Sequence, residues 1–287
     1  MTTLNAQLSV LQSANSTHLQ ALPFPYLVIA DALPAEVAHA LTQQFPVDLF
    51  ALQKQSLADA NNKRLDINVD IARTLPTMPA IWQDFLEYHS SPAFMHEMLA
   101  IFGSQIMQMF PKHYPNTESL AKLRGGIRDI NNFDAHDLLL STAASINTPV
   151  TAPNAVRAVH TDHGDKLLSG LFYLRRPEDD STGGNLQLFK WKDGYSQLQK
   201  RFFYQEGVPL KHVELVKEIP YSNNVFVLFV NSLDALHAVT PRDVTKYDRT
   251  FVNFVVEAPH KLFKKELPIV KKVRKSLAKK REVTHAY

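Results

Sequence analysis

Apolar and polar positions alternate differently in two stretches of the chain. From about residue 20 to 120 the apolar residues recur mainly at helical spacing; beyond that they come in short runs broken by Gly, Pro, Asp and Asn. In the first stretch, PFPYLVIADAL (23–33) reads as a short buried strand. PAEVAHALTQQF (34–45) reads as a helix, with Pro34 in its first turn and Val37, Ala38, Leu41 and Phe45 on one face. Residues 50–75 are polar and mixed. The segment 78–110 predicts two helices parted near Ser90-Ser91-Pro92. Trp82, Phe85 and Leu86 form an apolar stripe on one, and Phe94, Met95, Met98, Leu99 and Phe102 on the other, as core packing requires.

The second stretch predicts strands at 123–130, 136–149, 154–162, 166–176, 184–191, 213–221, 223–232 and 248–258, with turn-forming residues between them. Helices followed by a run of strands argue for an α+β body, a helical flank at about 20–120 supporting a β core at about 121–258. Nothing between the two parts reads as a linker, so residues 1–260 are expected to form a single domain. Acidic PEDDSTGG (177–184) reads as a hairpin turn, and Arg124 and Arg128, beside Gly125-Gly126, first as solvated strand residues and second as flanking a substrate mouth.

Composition narrows the chemistry. The chain has 287 residues, 45% of them hydrophobic and 21% charged, enough to bury a sizeable core. It contains no cysteine. Disulfides, thiolate zinc sites, iron–sulfur clusters and cysteine nucleophiles are thereby excluded, and a metal would have to be held by imidazole and carboxylate. No phosphate-cradling loop or dinucleotide-binding glycine pattern is present. Neither a signal-peptide pattern nor an apolar run of the roughly 18 residues needed to span a membrane is found, so a cytoplasmic location is expected.

The net charge of +3 is unevenly spread. Residues 261–287 carry ten Lys/Arg and two Glu, whereas the preceding 260 carry 21 basic and 26 acidic groups. In that tail Ile269, Val270, Val273 and Leu277 recur at helical spacing. A helix docked on the acidic body is the first expectation, and contact with an anionic membrane or nucleic acid through 261–281 the second.

Chemistry concentrates in VHTDHGDK (159–166). If this is a strand end, His160 and Asp162 project to one face and His163 to the other. A second imidazole beside them would complete two histidines and a carboxylate, the facial arrangement of non-heme Fe(II) oxygenases. Of the twelve histidines, His237 is the strongest candidate: it follows the apolar strand FVLFV and a turn, 75 residues beyond Asp162. Arg249 comes twelve residues later in DRTFVNFVVE, on one strand face with Phe251, Asn253 and Val255. A buried arginine needs an anion, and a bidentate carboxylate would provide one. Arg157 is read first as an ion-pair partner and second as a substrate contact, and Asp165 and Lys166 as turn residues, with Lys166 also placed to reach the cavity mouth.

The series His160-x-Asp162, GGNL (183–186), HAVTP (237–241) and Arg249 resembles the Fe(II)- and 2-oxoglutarate-dependent oxygenases, in particular their prolyl-4-hydroxylase-like branch. These motifs cover about 155–257, and the weaker likeness of PFPYLVIADALPAEVAHAL extends it to about residue 20. The resemblance implies a double-stranded β-helix (jelly roll) core and a hydroxylase that converts 2-oxoglutarate to succinate and CO2. It implies Fe(II) held by His160, Asp162 and His237, the distal carboxylate of 2-oxoglutarate paired with Arg249, and Leu186 lining the co-substrate pocket. Ascorbate is an optional reductant in such enzymes. The spacing from His237 to Arg249 exceeds the family's usual one, which keeps Arg242 and Lys246 as alternatives. The tyrosine that often contacts the co-substrate falls on Phe172 or Tyr173. Besides O2, the partner would be a small-molecule or peptide substrate. A non-catalytic jelly-roll binding protein, or a protein acting through its basic tail, are the competing classes.

Overall fold

The computed structural model describes residues 6–15, 17–152, 158–204 and 207–267. The expected tail helix, with Ile269, Val270, Val273 and Leu277, lies outside them, as does Arg157. In chain order the elements are β1 (Leu19–Gln20), β2 (Tyr26–Ala30), α1 (Ala35–Gln43), α2 (Ala51–Gln55), β3 (Arg64–Asn68), α3 (Val69–Ala72), α4 (Ala80–His89), α5 (Pro92–Met109) and α6 (Thr117–Ala121). They continue with β4 (Gly125–Ile127), β5 (Leu138–Asn147), β6 (Lys166–Tyr173), β7 (Leu186–Trp191), α7 (Gln197–Phe203), β8 (Val213–Ile219), β9 (Val225–Val230), β10 (Leu236–Val239) and β11 (Arg249–Glu257). Among the described residues no helix is long and apolar enough to cross a membrane.

Strands from distant parts of the chain form two sheets. The larger has eight strands in the order β1-β2-β9-β6-β11-β5-β3, with β4 parallel beside β5; the smaller has the order β10-β7-β8. The period-2 alternation of side chains divides the large sheet into two unlike faces. Val252, Phe254 and Val256 of β11, Leu140, Ala144 and Ile146 of β5, and Phe172 of β6 pack against Trp82, Phe85, Phe94 and Phe102 from α4 and α5. The residues between them turn the other way: Tyr173, Val227, Phe229 and Phe251 meet Leu186, Leu188 and Ile219 of the small sheet. The result is three layers, helices on the large sheet on the small sheet. Every residue of β5 is buried, as expected of a strand covered on both faces.

The helices begin and end where the local chemistry dictates. Ser91 caps α5, its hydroxyl accepting from Phe94 N at 3.3 Å, and Pro92 follows where no backbone donor is needed. Pro34 stands one position before α1 rather than inside its first turn. The segment 158–162, expected to be strand, forms a single bridge at His160 and no ladder. Three strands have no sequence counterpart, β1, β3 and β10, the first of them only two residues long. β3 reads RLDIN, with Leu65 and Ile67 alone apolar, as suits a charged sheet edge. β10 is only four residues long.

His89 ties the helices to the N-terminal segment. It is buried among Phe85, Phe94 and Phe254; its Nδ1–H donates to Phe85 O at 2.8 Å and its Nε2 accepts from Val10 N at 3.2 Å. Burial pushes its pKa from 6.5 to about 3, against the opposing pull of the Phe85 carbonyl. The folded protein therefore holds His89 neutral while the unfolded chain takes up a proton below about pH 6.5. The associated stability is fully present above that pH and declines as pH falls toward the folded value, by up to about 1.4 kcal/mol per pH unit. Urea unfolding between pH 7.5 and 5 should show this decline, and His89→Gln should remove it; an equal slope in the variant would contradict the assignment.

Candidate active site

His160 and His237 are brought together by backbone pairing. His160 N donates to His237 O at 2.9 Å and His237 N to His160 O at 2.8 Å, an antiparallel bridge joining the start of the 160–165 loop to β10. The rings lie 4.4 Å apart between centroids. Each ring is oriented by a nearby carbonyl: Nδ1 of His160 donates to Ala158 O at 2.8 Å, and Nδ1 of His237 to Ala235 O at 3.0 Å. A proton on Nδ1 leaves the lone pair on Nε2, the tautomer a metal ligand requires. Asp162 completes the group, one ligand atom from each of the three lying within 4.8 Å of the others. No ladder imposes this placement on His160 and Asp162; the clamped backbone between them does. His163 is exposed and outside the cluster.

Burial would raise the Asp162 pKa, but Lys166, His237, the Ser169 hydroxyl and His160 together hold it well below the usual carboxylate range. Ser169 Oγ donates to its Oδ2 at 2.7 Å, and Lys166 Nζ lies 3.6 Å from the same oxygen. The group thus offers two imidazole nitrogens and one carboxylate oxygen held in its anionic form. That donor set suits a divalent transition metal with open coordination positions.

Thr161 stands between the two ligands and is fully buried. Tyr204 grips its peptide on both sides, Oη accepting from Thr161 N at 3.2 Å and donating to Thr161 O at 3.0 Å. Lys265 Nζ donates to the same carbonyl at 2.6 Å, and Thr161 Oγ1 donates to Ser232 O at 2.7 Å. Asn231 Nδ2 secures the rest of the loop through His163 O at 2.8 Å and Lys166 O at 3.1 Å. Gly164 admits the chain near Phe263: an added Cβ would stand 2.1 Å from Phe263 O. Tyr204→Phe retains the ring and loses both hydrogen bonds to Thr161. Metal affinity measured by calorimetry should weaken by about 10- to 100-fold, the usual effect of removing support behind a ligand; unchanged affinity would show that the clamp is irrelevant to the ligands.

The triad opens into a cavity of about 110 Å³ between the sheets, lined also by Asn147, Ser169, Leu186, Phe229, Arg249 and Phe251. Arg249 is 2% exposed. Its Nε donates to Gly184 O at 3.0 Å and its Nη1 to Asn147 Oδ1 at 3.2 Å, while Nη2 is buried without a hydrogen-bond partner. Tyr173, Tyr221 and Phe251 surround the guanidinium with ring centroids at 4.9, 5.0 and 4.9 Å. Among the described residues no carboxylate pairs with it. An arginine so buried is costly unless an anion joins it.

The Gly183-Gly184 pair makes the approach possible. Both have positive φ, 79° and 76°; a Cβ on Gly183 would lie 1.9 Å from Pro241 O, and one on Gly184 3.1 Å from Arg249 Nε. Of the alternatives, Arg242 is buried with Nη1 and Nη2 donating to Thr148 O and Tyr247 O at 3.2 and 2.9 Å and its Nε unpartnered, and Lys246 is exposed beside the Tyr247 ring. Neither lines the cavity. Phe172 faces the helices, whereas Tyr173 lies on the Arg249 side with its buried hydroxyl next to the guanidinium. Sequence reasoning missed Asn147, Ser169, Asn231 and Tyr204. Ser169 is a buried polar residue in a largely apolar strand, a signal that could have marked it, whereas Asn147 shares its strand with Ser141, Thr142 and Ser145 and does not stand out.

No protein-family model and no curated protein sequence matches the chain. Among solved structures it is similar to a prolyl-4-hydroxylase of Pseudomonas putida, at 14% identity over 81% of this chain and 92% of that one, with a TM-score of 0.42. It is also similar to a prolyl 4-hydroxylase of Phytophthora capsici, at 15% identity over 88% of this chain and 63% of that one, TM-score 0.43. A third is a prolyl hydroxylase of Trichoplax adhaerens in complex with a hypoxia inducible factor oxygen degradation domain peptide, at 10% identity, 81% and 83% coverage and a TM-score of 0.40.

Proposed function

We propose that the protein is an Fe(II)- and 2-oxoglutarate-dependent dioxygenase, a hydroxylase on a double-stranded β-helix core. The observation that carries this reading is one cavity holding both a two-histidine, one-carboxylate group and a buried arginine that lacks an anion. A metal site alone would not need Arg249, and of the two buried arginines with an unsatisfied nitrogen Arg249 is the one that lines the ligand cavity. Both are accounted for by a co-substrate that chelates a metal at one end and carries a carboxylate at the other.

His160, Asp162 and His237 would hold the metal through Nε2, a carboxylate oxygen and Nε2. Arg249 would take the distal carboxylate through Nη2, with Asn147 Nδ2, also buried and unpartnered, as a second donor. Tyr173 contributes a buried hydroxyl beside the guanidinium, and Leu186 and Phe251 close apolar walls around the chain of the co-substrate. When bound, Fe(II) with 2-oxoglutarate and O2 supplies an oxidant able to hydroxylate an unactivated C–H bond, with succinate and CO2 as co-products. The protein's own part is to fix three donors on one side, orient the co-substrate from the far end, and keep water out.

The test is co-substrate turnover. Purified protein reconstituted with Fe(II) should convert 2-oxoglutarate to succinate in air, and neither zinc-loaded nor anaerobic protein should do so. Absence of succinate under all conditions, including with substrate mixtures, would remove the enzyme reading in favour of a binding protein.

A further inference from the structure

Exposed apolar side chains gather around α7. Of the eleven large ones among the described residues, five fall within 198–216. Leu198 and Phe202, 62% and 54% exposed, stand four apart on α7 and so share one side of it. The other side is anchored, Phe203 and Tyr204 packing with Trp191, Val208 and Val213. Phe203 also stacks on His212 at 4.2 Å, which brings Leu210, 68% exposed and two residues before that histidine, to the same region. Single exposed apolar residues are ordinary, but a cluster of them marks a contact surface.

The same region is basic. Lys192 N donates to His212 O at 3.0 Å, and Lys211 directly precedes that histidine. Lys190 and Lys200 are paired with Glu214 and Asp234 at 3.0 and 2.7 Å, whereas among the described residues Lys192 and Lys211 pair with no carboxylate. Both are exposed.

The chain also leaves the described structure here. After β11 it is fastened to the ligand loop, Leu262 N donating to Gly164 O at 2.7 Å and Lys265 Nζ to Thr161 O at 2.6 Å. Arg201 of α7 then donates through Nη2 to Glu266 O at 3.3 Å, and Leu267 is the last described residue. Residues 268–287 thus begin beside α7. They carry seven Lys/Arg and one Glu, with Ile269, Val270, Val273 and Leu277 at helical spacing, the sequence pattern of an interfacial helix.

Charge and apolarity together select the occupant. Residues 192–212 and 261–287 hold 14 basic and four acidic groups, and Asp234, the partner of Lys200, brings the acids to five. The rest of the chain holds 17 basic and 23 acidic groups. A second copy of the chain docked here, or its own tail folded back, would set positive charge against positive charge. Nucleic acid would answer the charge but give Leu198 and Leu210 no apolar contact. An anionic bilayer supplies acyl chains for the one and headgroups for the other, and each basic residue near such a surface strengthens binding by roughly fivefold.

We propose that α7, the segment before β8 and the basic C-terminal segment form one surface that docks on an anionic lipid bilayer. Leu198, Phe202 and Leu210 enter the interface, while Lys192, Lys211 and the basic residues of 261–281 meet the headgroups. The protein lies on the membrane without crossing it. This inference is independent of the dioxygenase reading.

The test is co-sedimentation of the full chain with vesicles of phosphatidylcholine alone or mixed with an equal amount of phosphatidylglycerol. Binding to the mixed vesicles should be at least about tenfold tighter and should weaken between about 0.1 and 0.5 M salt. Phe202→Ser, at an exposed position that leaves the fold intact, should bind about tenfold more weakly. Lys192→Gln combined with Lys211→Gln should lose about tenfold or more. Leu52→Gln, exposed on α2, is the control with unaltered binding. Phe202→Trp should shift its fluorescence to the blue with the mixed vesicles alone. No vesicle binding, equal binding to both lipids, or variants that bind as the parent does would overturn the proposal. Binding of a short DNA or RNA duplex in place of vesicles would give the surface to nucleic acid. Indifference to vesicles together with a lowered melting temperature in Phe202→Ser would show that the patch is covered by the chain's own tail, and either result overturns membrane docking.

Discussion

His237→Ala is expected to abolish Fe(II)-dependent consumption of 2-oxoglutarate and to weaken metal binding by at least about 100-fold. Loss of a group that merely supports a ligand already costs 10- to 100-fold in affinity, and His237 supplies a ligand atom itself. The backbone bonds that pair it with His160 do not involve its side chain, so alanine preserves the bridge. The variant should therefore remain folded, with a melting temperature near that of the metal-free parent, while metal titration shows almost no binding. Wild-type affinity in this variant would mean that the cluster of His160, Asp162 and His237 is a polar core contact and not a ligand set.

Arg249→Gln should produce a different defect. Truncating one partner of a buried, hydrogen-bonded charge pair costs about 2–5 kcal/mol. At about 3 kcal/mol, KM for 2-oxoglutarate rises by roughly 100-fold. Metal affinity without 2-oxoglutarate should be unaltered, which separates this variant from His237→Ala. Stability should move in the opposite direction to function. Without its anion the guanidinium is a buried charge among three rings and two neutral acceptors. Removing it should leave the ligand-free protein as stable as the parent or more so. Arg249→Lys keeps the charge but lacks the planar fork, so it should recover only part of the affinity. Equal KM in parent and Arg249→Gln would transfer the anchor elsewhere and undo the co-substrate assignment.

His160, Asp162, His237, Leu186 and Arg249 were chosen on residue chemistry and motif order, and the structure places all five on one cavity. Period-2 alternation in β11 correctly set Arg249, Phe251 and Asn253 on the face opposite Val252 and Phe254. The same rule was applied to 154–162, where no ladder is found in the described part. There the two ligands share a cavity because Tyr204, Lys265 and Ser232 clamp Thr161, long-range contacts that local alternation does not register. β3 was unreadable for a related reason: its polar residues line the mouth of the site and so interrupt the apolar signal by which strands are recognised. The choice between Phe172 and Tyr173 also needed the packed structure, since adjacent aromatics in a strand look alike until one face is assigned to the helices.

The most direct measurement is the visible absorbance of anaerobic protein titrated with Fe(II) and then 2-oxoglutarate. A metal held by His160, Asp162 and His237 and chelated by the co-substrate should give a weak charge-transfer band that saturates at one equivalent of each. The band should be absent in His237→Ala and should require far more 2-oxoglutarate in Arg249→Gln. A wild-type protein that binds neither Fe(II) nor 2-oxoglutarate and shows no band would contradict the account.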